Sequence, residues 1–99
     1  MVQEIVVFNS DEFENLITNR DVRISRALVS TVLKNLKGRK RHHHALSVLV
    51  EQEQTIYDIT IDRKEFVNTL KENLSIHEEN ELYETCADIM KAIKQLEEK

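Results

Sequence analysis

Proline and tryptophan are absent from this 99-residue chain, and glycine and cysteine each occur once. Each scarcity excludes some chemistry. With Gly38 as the single glycine, neither a Walker loop nor a dinucleotide fingerprint can be written, since both need several glycines to bring backbone up to phosphate. A G-x-S-x-G nucleophile elbow needs two. The lone Cys86 allows no intramolecular disulfide and no C-x-x-C zinc pair, and no H-E-x-x-H occurs. No apolar run reaches the roughly 18 residues of a membrane span. The opening MVQEIVVFNSDEF carries acids where a signal peptide carries bases, so a cytoplasmic location with no membrane partner is expected. These exclusions describe a protein that is not an enzyme. No catalytic residue, cofactor or small-molecule substrate is assigned.

What is present suits one packed unit. Hydrophobic residues make up 40% and charged residues 32%, enough for one core and a solvated surface, so residues 1–99 are read as a single domain. Two stretches resemble each other, Val6–Asn15 and Ile59–Asn68. Each ends a strand-like alternation and opens a helix. Asn9 and Asp62 stand at N-cap positions, with Glu12 and Glu65 three residues on, as in a capping box. Phe8 is expected to staple to Phe13, and Ile61 to Phe66. The match admits a pseudo-repeat, with halves of about 4–37 and 56–97 joined through a strand at 45–51. It equally reflects what any strand-to-helix junction needs.

The spacing predicts helices over about 10–19 and 22–37, the second ending on Gly38 as a C′ glycine, then about 63–73 and, behind a Ser75-x-x-Glu78 signal, about 75–97. Strands are expected at 45–51 and 55–61, joined through Gln52-Glu53-Gln54. The fold class is therefore α+β, in the order β-α-α-β-β-α-α, with a three-stranded, mostly antiparallel sheet packed against four helices. Phe13, Leu28, Val32, Leu36, Ile59, Ile61, Phe66, Ile89 and Ile93 are expected in the core, with Phe8, Tyr57 and Tyr83 largely committed to it. Cys86 and Met90 read as packing residues.

Charge is distributed in blocks. Residues 1–19 carry four acids and no base, 20–44 eight bases and one acid, and 45–99 thirteen acids and six bases. Arg23, Arg26, Lys34 and Lys37 fall on one stripe of the second helix, which runs out into Arg39, Lys40 and Arg41. A basic helix face continuing into a basic loop suits phosphate contacts, whose contributions add without sequence readout. It equally suits a solvated face that answers the acidic blocks. His42, His43 and His44 follow. On an extended chain His42 and His44 share a side, yet no third ligand is fixed, so no metal site is assigned and the three read as an extension of the basic patch. The acidic pairs Glu78/Glu81 and Glu84/Asp88 read as an exposed helix surface.

The sequence is thus read as a small regulatory or adaptor protein that binds another protein, with a second copy of the chain as one partner. The alternative is a nucleic-acid-binding protein using Arg23, Arg26, Lys34, Lys37, Arg39, Lys40 and Arg41.

Overall fold

Three runs of branched, alternating residues form the strands of a computed structural model that describes residues 3–19 and 21–98. Arg20 and Lys99, counted in the charge blocks, lie outside the described residues. The strands are β1 (Gln3–Val7), β2 (His42–Val50) and β3 (Thr55–Asp62); the helices are α1 (Ser10–Thr18), α2 (Val22–Lys34), α3 (Phe66–Glu79) and α4 (Tyr83–Glu97). A short 3₁₀ turn, Arg63–Glu65, precedes α3. The α+β class and the order β-α-α-β-β-α-α stand as read from the sequence.

The sheet has the order β1-β2-β3 and is mixed rather than mostly antiparallel. β1 runs parallel to β2, with Ile5 beside Val48 and Val7 beside Val50. β2 and β3 form an antiparallel hairpin, with Leu46 opposite Ile59 and Val48 opposite Tyr57. The reason is the connection. Two helices separate β1 from β2 and return the chain to the end where β1 began, and parallel pairing requires such a crossover.

One sheet face carries Ile5, Val7, Leu46, Val48, Val50 and Ile61, all buried against Ala27, Val29 and Val32 of α2, Phe66 and Leu70 of α3, and Ile89 and Ala92 of α4. Burying a Leu or Ile side chain completely contributes about 1.5–3 kcal/mol, and Leu46, Leu70 and Ile89 are all fully buried. Of the nine expected core residues, Val32, Ile61, Phe66 and Ile89 are buried, whereas Phe13, Leu28, Leu36, Ile59 and Ile93 are half-buried at its rim. A single layer of helices on one sheet face leaves its border positions partly in water. The expected staple between Phe8 and Phe13 is not made. Phe8 is 59% exposed, and the Phe13 ring packs 5.6 Å from Tyr57 instead. Met90 and Tyr83 are also exposed rather than packed.

Helix ends differ from expectation where tertiary contacts compete with local signals. α2 stops at Lys34, not Lys37, and Gly38 is not left-handed. Asn35 ends the helix, its side-chain amide donating to the Thr31 carbonyl at 2.7 Å. α3 runs through Ser75 to Glu79, because Ile76 and His77 extend the buried stripe begun by Phe66, Leu70 and Asn73. The helix ends in a Schellman motif. The Glu81 amide donates to the Glu78 carbonyl and the Leu82 amide to that of His77, with Glu81 left-handed at φ 58°. α4 then starts at Tyr83, eight residues later than the Ser75 signal suggests.

Candidate nucleic-acid interface

α2 is positioned at both ends by its own sequence. Asp21 caps it, accepting from the Arg23 amide at 2.8 Å, while its apolar stripe Val29–Val32 turns the opposite face outward. Along that outward face Arg26 and Lys34 are exposed, and Lys37, Arg39, Lys40 and Arg41 are exposed in the connection to β2. The seven predicted cations are thus carried by one helix and the loop that continues it. They divide into two groups. Arg23 pairs with Asp21 at 3.1 Å and Arg41 with Asp62 at 3.2 Å, so both are engaged within the chain. The guanidinium of Arg23 holds the Asp21 carboxyl below the ordinary carboxylate range. Arg26, Lys34, Lys37, Arg39 and Lys40 form no ion pair among the described residues.

The loop is fixed by a residue outside the predicted patch. Arg63 donates from Nε to the Lys40 carbonyl at 2.7 Å and from Nη1 to the Asn35 carbonyl at 2.8 Å. Its backbone amide donates to the Arg41 carbonyl at 2.6 Å. The guanidinium carbon lies 4.9 Å from the centre of the Phe66 ring, which supports the side chain from beneath. Gly38 has its role here. A Cβ at this position would stand 3.0 Å from Arg63 Nη2, so any larger residue would press on the guanidinium where it lies against the loop. The backbone carrying Lys37, Arg39 and Lys40 is therefore held while their side chains project into solvent.

The three histidines open β2 and do different things. His42 is exposed, its Nδ1 3.9 Å from Asp62. His43 is buried, its Nε2 2.9 Å from the Lys40 carbonyl. His44 Nε2 lies 3.0 Å from Ser47 Oγ, which donates to Asp58 at 2.7 Å. The Ser47 hydroxyl, with the adjacent His44, depresses the Asp58 carboxyl. His42 and His44 thus face different aspartates, with a bulge between His44 and Leu46. Among the described residues no group of three His, Cys, Asp or Glu side chains is placed to hold a metal ion. Cys86 is buried in α4, and loss of hydration pushes its thiol up, away from the reactive thiolate.

Between α2 and α4 lies a cavity of about 340 Å³, bounded by Arg26, Val29, Leu33 and Lys34 on one side and by Thr85 and Asp88 on the other, with His77 of α3 lining it. Two of its residues belong to the predicted stripe. The sequence offers Asp88 only as half of an exposed acidic pair with Glu84 and fixes no role for His77, and their signals are weak: a lone histidine in a helix and one acid among many.

Compared with protein-family models, curated proteins and solved structures, the chain matches none of them. No helix among the described residues is long and apolar enough to cross a membrane.

Proposed function

We propose that the protein binds nucleic acid through the outer face of α2 and the Lys37–Arg41 loop. One observation carries the reading. Five of the seven cations have no acidic partner among the described residues, although the chain is rich in acid. Had the stripe served to answer the acidic blocks, those ion pairs would form within the fold. The loop's fixation by Arg63 adds to it, because cations on a held backbone meet phosphates with less ordering cost than cations on a free one. Binding to duplex or single-stranded probes should weaken steeply as salt rises. Each phosphate contact adds roughly −0.9 to the log–log slope for duplex DNA and roughly −0.7 for single strands. The double variant Lys34→Glu/Lys37→Glu should lose that binding with its circular dichroism unchanged, since both side chains are exposed. Undetectable binding of every probe at low salt would overturn the reading, as would undiminished binding by the double variant.

A second reading, a protein-binding adaptor, is favoured by the other sheet face. There Val6, Leu49 and Ile56 stand in register across all three strands, with Val6 50% and Ile56 60% exposed and Phe8 beyond them at 59%. A contiguous apolar row in water is the common mark of an interface. If a second copy covers it, light scattering should give about twice the 11.7 kDa of one chain, and Ile56→Lys should return the mass to that of one. A single-chain mass that persists as concentration rises would exclude self-association.

A further inference from the structure

The cavity between α2 and α4 is built around a histidine with an unused nitrogen. His77 is 1% exposed. Its Nδ1 lies 2.9 Å from the Asn73 carbonyl, which can only accept, so Nδ1 carries the proton and Nε2 the lone pair. Nε2 has no partner among the described residues, and no buried side-chain nitrogen or oxygen among them is left unpartnered. The little of His77 that remains exposed therefore includes Nε2, and the space His77 lines is this cavity. A leucine would fill the same volume without placing an acceptor there. The Asp88 carboxylate brings further acceptors to the α4 wall, while the half-buried Leu33 supplies apolar surface.

Acceptors inside and cations outside define the occupant. Arg26 and Lys34 stand eight residues apart on α2, about 12 Å along the helix, so they flank the mouth of the cavity rather than fill it. Resting on the proposal that the α2 face binds nucleic acid, we infer that the cavity receives one unstacked base of a single strand whose phosphates lie on Arg26 and Lys34. The base edge offers N–H donors to His77 Nε2 and Asp88, and its face lies against Leu33. Guanine suits the cavity best, because its edge presents two N–H donors, N1–H and N2–H, to a wall to which His77 and Asp88 bring acceptors. A duplex does not suit it, since the base must leave its stack, and a single strand gives up a base most cheaply.

The test uses labelled oligonucleotides of about twelve residues. One is oligothymidylate, one the same strand with a central guanine, one with a central abasic site, and one the guanine strand annealed to its complement; uridine-based versions separate RNA from DNA. The guanine strand should bind roughly tenfold tighter than the abasic strand, the scale of a hydrogen-bonded base edge. His77→Leu should erase that preference and keep the salt slope. Because His77 is buried, the exposed Asp88→Asn serves as a second variant and should reduce the preference in the same way, with folding checked by circular dichroism. Equal affinity for guanine and abasic strands, a preference that survives both variants, or tighter binding of the duplex would overturn the cavity's role and leave the basic surface standing. Absence of salt-dependent binding to every probe would overturn the surface, and the cavity's role with it.

Discussion

Arg63 does more for the basic loop than any residue within the loop. Two carbonyls accept from its guanidinium, and the Phe66 ring lies beneath it. Arg63→Gln removes the fork and leaves carbonyl groups short of donors, so it should lower stability by roughly 1–3 kcal/mol and speed amide exchange around residues 35–41. Arg63→Lys keeps the charge and should still lose most of this, because an ammonium cannot reach both carbonyls in one plane. An unchanged denaturation midpoint in both variants would count against the role. None of this was legible in the sequence, where the partners stand 28 and 23 residues before Arg63. The caps were legible because they are local. Asn9 accepts from the Glu12 amide at 2.9 Å, and Asn9→Ala should cost about 1 kcal/mol. The aspartates set an acid limit. Asp62 is depressed chiefly by the Lys64 amide and then by Arg41, and Asp58 chiefly by Ser47. Groups depressed on folding stabilise above the unfolded carboxylate value near 4, and that contribution is lost as pH falls through the folded values. Asp58→Asn should therefore make the denaturation midpoint less dependent on pH below about 4, and an unaltered pH profile would refute it.

At the scale of elements, periodicity located all four helices and the hairpin, and local signals misplaced their ends. Ser75 and Glu78 form an apt capping pattern, yet the helix passes through them because Ile76 and His77 are buried, at 6% and 1% exposure. Burial of a continuing stripe outweighed a cap. The true break, at Asn80–Leu82, carries no glycine or proline, and so nothing in the sequence announced it. Glu81 takes the left-handed position where glycine is usual. Glu81→Gly should raise stability by roughly 0.5–1 kcal/mol, read from the denaturation midpoint, and a loss of stability would contradict the assigned motif. Residues on the core stripe behave oppositely. Val32→Ala and Ile89→Ala, both at sites with 0% exposure, should cost roughly 2–4 kcal/mol, while Ile93→Ala at the rim should cost less. An equal cost at Ile89 and Ile93 would contradict the burial order.

At the scale of the whole molecule, the acidic helix α1 and the basic loop before β2 lie at opposite ends of the β2 strand. Asp11, Glu12 and Glu14 of α1 lie beside the 51–54 turn, where Ser10 donates to Glu53 at 2.6 Å, while Lys37, Arg39 and Lys40 gather where β2 begins. The basic patch was legible as a list of residues; the cavity beside it was not, because it needs α2, α3 and α4 assembled. The parallel ladder between β1 and β2 has a kinetic consequence. The β2–β3 hairpin closes a four-residue turn, whereas β1 can meet β2 only after both intervening helices are laid down. Loop-closure entropy then places the hairpin, with α3 and α4, ahead of β1 in the order of folding. Ile61→Ala should slow refolding in a stopped-flow experiment. Ile5→Ala should leave the refolding rate nearly unchanged and speed unfolding, as expected of a strand that joins after the rate-limiting barrier. The reverse pattern would mean that β1 belongs to the nucleus.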